Sequence, residues 1–245
     1  MIKTENGFAK LYKIYGRSEA EVKEKLGDIP AMDGDIQVIT KALGNEVHVL
    51  AVMEEQDEEK AKNALKPVGK EIKKALGAMI YSTKEQETME DAVVRLLKKH
   101  ELTVTTAESC TGGMIASMIV NVPGASDVFN EGFITYSNKA KRKLLDVSKN
   151  TLKKYGAVSE QTVREMALGG VFAADSDACI AVSGIAGPDG GTEEKPVGLV
   201  YIGCCIKDDV TVKECHFEGN RIEIREQSAY AALDLLRTAI IRNYR

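Results

Sequence analysis

The sequence predicts a three-layer α/β domain with an open sheet, preceded by a small α+β domain, and three observations predict it. From residue 102 onward, apolar runs of strand length alternate with segments of helical period, the pattern of a layered α/β sheet. Residues 8–82 carry a different order: strand, short helix, two strands around a tight turn, helix, strand. Between the two lies STKEQET, residues 82–88, polar and without apolar periodicity, which makes it the candidate linker. The domains are accordingly placed at 1–84 and 85–245.

In the first domain FAKLYKIY (8–15) reads as a strand, and SEAEVKEKLGD as a helix that begins at Ser18 and ends near Gly27. DIQVITKA and EVHVLAVM flank LGN, whose Gly44 and Asn45 supply hairpin chemistry. Ala61, Ala64, Leu65, Val68, Ile72, Ala75 and Leu76 recur at helical spacing up to Gly77, and AMIYS adds a short strand. In the second domain Thr88 and Asp91 resemble a capping box for a helix whose apolar face is Met89, Val93, Leu96 and Leu97. LTVTTA, a helix after Gly113, GFITYS, helical segments through 155, a helix from Ser159 to Ala174, and ACIAVSG follow. VGLVYIGCCI, TVKECHF and a long helix from Arg221 to Arg242 close the chain.

The 245 residues are 44% hydrophobic and 29% charged, enough for a real core, and the start of the chain, IKTENGFAK, is polar with no apolar targeting stretch. Without an apolar run of membrane-spanning length, the chain reads as cytoplasmic with no membrane partner. Five cysteines, an odd number and without C-x-x-C spacing, predict neither a zinc site nor a disulfide framework. The net charge of −4 does not point to nucleic acid, and residues 1–84 balance 14 Lys+Arg against 14 Asp+Glu.

The chemistry concentrates in three stretches. AESCTGG (107–113) ends a strand in small polar residues and glycines before a helix restarts, the address at which α/β folds keep ligands. A serine there is ordinarily an N-cap, but Ser109 keeps company with Glu108, Thr111, Gly112 and Gly113, where a cap needs a single oxygen. Cys110 is the rival nucleophile, although a buried cysteine is usually inert. His48, His100 and His216 sit in no triad setting, so the base for a serine falls to a desolvated lysine. TYSNKAKRK (135–143) offers Lys139, Lys141 and Lys143, with Tyr136 and Asn138 at the strand end. VSGIAGPDGGTEEKPVG (182–198) is a glycine-rich loop with neither the P-loop nor the dinucleotide spacing, whose amides could hold an anion. Arg221 is a candidate anion clamp at a helix start.

Together AESCTGG, the segment from TYSNKAK through GAVSE, and SGIAGPDGGTEEKPVG resemble the CinA C-terminal domain family, the nicotinamide-nucleotide amidases, over residues 88–240. Residues 8–84 resemble, less specifically, the KH-like domain that precedes the amidase in full-length CinA proteins, without the G-x-x-G clamp of nucleic-acid-binding KH modules. The large N-terminal domain of those proteins has no counterpart in this sequence. The resemblance implies hydrolysis of nicotinamide mononucleotide to nicotinate mononucleotide and ammonia, with no cofactor and no metal, in a homodimer. It implies Ser109 as nucleophile, Lys141 as its base and Tyr136 hydrogen-bonded to one of them, with Lys139 a bystander. Substrate would be bound by Glu108, Cys110, Thr111, Gly112, Gly113, Asn138, Ser183, Gly184, Gly187 and Arg221, with amides near Gly112 and Gly113 facing the oxyanion. The family often reads G-D-R where this chain has Gly219-Asn220-Arg221. The alternative expectation is a nucleotide-binding regulatory protein of competence or DNA-damage responses with little turnover.

Overall fold

The computed structural model describes residues 1–29 and 35–244, which divide into two compact units, 1–88 and 89–245. In the first unit the strands are β1 (Ile2–Lys3), β2 (Phe8–Tyr15), β3 (Ile36–Leu43), β4 (Glu46–Met53) and β5 (Ile80–Ser82), with helices α1 (Glu19–Leu26) and α2 (Glu58–Leu76). The sheet runs β1-β2-β4-β3, all antiparallel, with β5 pairing β2 on the edge that β1 also uses. The Gly44-Asn45 turn sets the β3–β4 register at Leu43 opposite Glu46, with Gly44 at φ 58°. Ser18 and Glu21 form a reciprocal capping box at the start of α1. Tyr12, Ile14, Val47 and Val49 of the sheet pack on Leu65, Val68 and Ile72 of α2. Each such burial is worth about 1.5–3 kcal/mol, so truncating a fully buried member such as Leu65 would loosen this unit. The stretch expected to link the domains is tied to the first unit, because the buried Lys13 ammonium donates to the carbonyls of Glu85 and Glu87 at 3.4 and 3.0 Å.

The second unit contains α3 (Met89–Lys99), β6 (Val104–Glu108), α4 (Met114–Val120), β7 (Gly132–Ile134), α5 (Asn138–Leu145), α6 (Lys149–Tyr155), α7 (Glu160–Ala174), β8 (Ala178–Gly184), β9 (Leu199–Ile206), β10 (Asp209–His216) and α8 (Arg221–Asn243). Its sheet runs β10-β9-β8-β6-β7, parallel across β8, β6 and β7 and antiparallel across β8, β9 and β10. Helices α5, α6 and α7 form one outer layer and α3, α4 and α8 the other. Close approach is built in by glycines: a Cβ at Gly203 of β9 would come within 2.9 Å of the Val163 carbonyl of α7. All five cysteines are buried free thiols. No helix among the described residues is long and apolar enough to cross a membrane.

One strand is shorter than GFITYS suggested. β7 keeps only Gly132–Ile134: the Thr135 N–H gives the last rung of the pairing, to the Glu108 carbonyl at 2.7 Å, and the strand stops there because Ser137 becomes the N-cap of α5. That early exit brings Thr135, Tyr136 and the first turn of α5 to the carboxyl end of β6.

Candidate active site

The site lies where the parallel strands β6, β7 and β8 end. Ser109 directly follows β6 and extends its pairing to β8 by one bond, from its N–H to the Val182 carbonyl at 3.0 Å. The chain then turns through Gly112 (φ 61°) and Gly113 (φ 96°), conformations that glycine adopts without penalty.

Glu108 explains why this turn is stable. Its carboxylate is fully buried and accepts from the N–H groups of Gly113, Ile115 and Ala116 at 2.9, 3.2 and 2.9 Å. Gly113 has no side chain to cap α4, so the acid supplies the cap from the preceding strand and places its charge at the positive end of the helix. Glu108 is thus committed to the fold of the turn, and the expectation that it binds substrate is corrected.

The glycine amides are corrected as well. Gly112 donates to the Ser109 carbonyl at 3.2 Å and Gly113 to Glu108, so neither is available to an oxyanion. The amides of Cys110 and Thr111 make no hydrogen bond to an oxygen among the described residues, and both lie near enough to the Cys110 sulfur to favour its thiolate. Burial outweighs them and pushes the Cys110 thiol up to about 11. At neutral pH it is therefore held as the thiol, the poorer nucleophile. The Thr111 hydroxyl is buried without a partner among the described residues.

Lys141 projects from α5 into this turn. Only 1% exposed, its ammonium donates to Ser109 Oγ at 2.9 Å and to the Thr135 carbonyl at 2.8 Å. Desolvation by burial lowers its pKa to about 8. A lysine whose charge burial disfavours, in hydrogen-bond contact with a serine hydroxyl, has the geometry to accept that hydroxyl's proton.

The other expected residues separate into two groups. Tyr136 does not reach Lys141 or Ser109: it is 64% exposed, and its hydroxyl accepts from the Arg221 guanidinium at 3.1 Å. Arg221 also donates to the Gly187 carbonyl at 2.6 Å, which brings the glycine-rich loop, Tyr136 and the start of α8 together at one rim. Two of its five N–H donors are so used, leaving three for an anion. Asn138 is exposed at the start of α5. Ser183, by contrast, is 1% exposed and donates to the Ala157 carbonyl at 2.8 Å, so its hydroxyl braces the α6–α7 loop and does not face substrate. Gly184 permits close strand packing, since a Cβ there would lie 2.5 Å from Val200 Cγ2. Asn220 is the N-cap of α8, accepting from Ile222 and Glu223, a task an aspartate would perform equally well.

Arg225 was not anticipated. One turn beyond Arg221 on α8, it donates through Nε to the Cys110 carbonyl at 3.0 Å and through a terminal nitrogen to that of Thr111 at 2.8 Å. The i, i+4 spacing of two arginines in RIEIR was the available signal.

Residues 86–240 match the family model described as CinA C-terminal domain, and residues 9–82 the one described as Damage-inducible protein CinA KH domain. A competence-damage inducible protein of Clostridium beijerinckii is 45% identical over 236 residues, covering 96% of this chain and 57% of the relative. A CinA-like protein of Kosmotoga olearia is 44% identical over 234 residues, with the same coverage. The chain thus spans little more than half the length of these relatives. Among solved structures, the competence/damage inducible protein CihA from Agrobacterium tumefaciens is 40% identical with a TM-score of 0.60, over 63% of this chain and 94% of that one. A CinA superfamily protein from Klebsiella pneumoniae is 31% identical with a TM-score of 0.62, over 65% of this chain and 99% of its own.

Proposed function

Because the chain belongs to the CinA family, a CinA C-terminal domain preceded by a CinA KH domain, we propose that its second unit is a metal-independent amidohydrolase acting on nicotinamide mononucleotide. The observation that carries this reading is the 2.9 Å contact between Lys141 Nζ and Ser109 Oγ, with the lysine's pKa lowered to about 8 by burial. The relatives' names give a competence-damage context and no reaction, so the substrate rests on the resemblance of the three motifs.

The chemistry follows from the geometry. Neutral Lys141 takes the Ser109 hydroxyl proton as Oγ bonds to the carboxamide carbon. The carbonyl oxygen takes up negative charge facing the amides of Cys110 and Thr111, which the turn leaves without oxygen acceptors. Lys141 then returns the proton to the departing nitrogen as the C–N bond breaks, and ammonia leaves. Water attacks the resulting ester, giving one proton to Lys141, which passes it to Ser109 Oγ as the acyl bond breaks and nicotinate mononucleotide departs. The Arg221 guanidinium and the adjoining glycine-rich loop are the groups assigned to the phosphate, because three of the arginine's donors have no acceptor among the described residues.

Ammonia release from nicotinamide mononucleotide, with and without EDTA, tests this. Wild-type and Cys110→Ala proteins should turn over equally in both conditions and Ser109→Ala should not. Binding by calorimetry without any ammonia release would instead favour a nucleotide-binding regulatory protein, the reading with which the relatives' competence-damage names agree.

A further inference from the structure

The first unit, although neutral in sum, segregates its charge. A cavity of about 480 Å³ opens between β2 and α2, and Lys10, Lys66, Lys70 and Lys73 line it. The three lysines of α2 stand at i, i+4 and i+7, on one face of the helix, where like charges repel. Glu85 is the one acid among the lining residues, and a fifth lysine, Lys84, is paired with Glu87 at 3.4 Å. None of the four other lysines has a carboxylate within 4.0 Å among the described residues. Lys10 has its pKa lowered by burial first and then by Lys73, Lys66 and Lys62. At the base of the cavity stands Tyr12, 2% exposed, whose hydroxyl has no hydrogen-bond partner among the described residues. Gly69 keeps the space open, since a Cβ there would lie 2.5 Å from that hydroxyl.

Uncompensated like charges around a concavity, with a hydroxyl facing into it at its base, have the chemistry of an anion site. The size falls within the range of small-molecule pockets. We propose that the first unit binds a phosphorylated small molecule of the nucleoside diphosphate class, with Lys10, Lys66, Lys70 and Lys73 on phosphate oxygens and the Tyr12 hydroxyl as a directed donor. A nucleic acid is the poorer occupant, because the α2 cations border a single concavity of small-molecule size together with Lys10 of β2. This pocket is independent of the amidase reading and shares none of its residues.

Calorimetry on the full chain with inorganic pyrophosphate and with ADP, at near-physiological salt, tests the proposal. Saturable binding of one equivalent is expected, weakened about tenfold or more by the paired change Lys66→Gln and Lys73→Gln, and weakened several-fold by Tyr12→Phe. Arg221→Ala should leave it unchanged, which separates this pocket from the amidase site whether or not ammonia is ever released. Absence of saturable heat, equal affinity in the double-lysine variant, or loss of binding through Arg221→Ala alone would each overturn it. So would lysine-dependent binding of single-stranded RNA with neither phosphate probe bound.

Discussion

Lys141 Nζ stands 2.9 Å from Ser109 Oγ across 32 residues of chain, and it is held there by a second hydrogen bond, to the Thr135 carbonyl at 2.8 Å. The carbonyl orients the amine, and the buried surroundings disfavour its charge. With the pKa at about 8, roughly one lysine in ten is neutral at pH 7. Turnover of nicotinamide mononucleotide should therefore rise about tenfold per pH unit below 8 and level off above it. Initial rates between pH 6 and 9.5 check this, and a profile flat through pH 8 would remove Lys141 as the base.

The same shift is linked to stability. Because the folded pKa lies below the unfolded value of 10.5, the unfolded chain binds more protons between the two, and folding is penalised fully below about pH 8. Raising pH from 8 to 10 should relieve about 2 kcal/mol of that penalty. Lys141→Met lacks the titrating group, so the stability difference between wild type and variant should shift by that amount over this range in urea unfolding. Parallel pH dependences for the two proteins would contradict it.

How much of this was legible beforehand depends on how local the determining interaction is. The Gly44-Asn45 hairpin and the helix start at Ser18 were readable because the groups that fix them lie within three residues of one another. Ser109 was singled out by the residues of its turn, whereas Lys141 was chosen among three lysines through motif resemblance, since no spacing rule brings α5 to the end of β6. The hydrogen bonds of the turn were misread for a physical reason. Glycine amides look free in sequence, but Gly113 is claimed by a carboxylate five residues earlier, and that depends on the path of the turn. The role of Arg225 was not readable beyond its i, i+4 spacing from Arg221, because its carbonyl partners lie 115 and 114 residues away.

Glu108 should prove a stability residue. Glu108→Ala would leave three N–H groups at the start of α4 without their acceptor, a loss of about 3 kcal/mol or more at about 1 kcal/mol or more for each. Glu108→Gln keeps one acceptor oxygen and should lose less. Urea denaturation measures both, and an Ala variant as stable as wild type would mean that water replaces the carboxylate.

Arg225 should act on the rate through the shape of the nucleophile turn. Its two bonds to the carbonyls of Cys110 and Thr111 leave the N–H groups of that turn directed away from the guanidinium. Arg225→Ala should lower kcat about ten- to a hundredfold with little change in KM, the loss of about 1.4–2.7 kcal/mol of transition-state stabilisation. Arg225→Lys should rescue little, because an ammonium cannot reproduce the fork. An effect on KM alone would reassign the arginine to ground-state binding.

Tyr136 separates a relay from a rim. Its hydroxyl touches Arg221 and neither Ser109 nor Lys141, and most of the ring faces solvent. If the tyrosine only steadies the arginine that meets the phosphate, Tyr136→Phe should raise KM by a few-fold, about 1 kcal/mol or less, with kcat preserved. The effect should vanish in an Arg221→Ala background, because the hydroxyl then has no partner to lose. A large fall in kcat with KM unchanged would instead require the loop to close on substrate and carry the hydroxyl to the reacting atoms. Steady-state kinetics of the two single variants and the double variant distinguish these, since a rim role predicts non-additive effects in KM and a relay predicts additive effects in kcat.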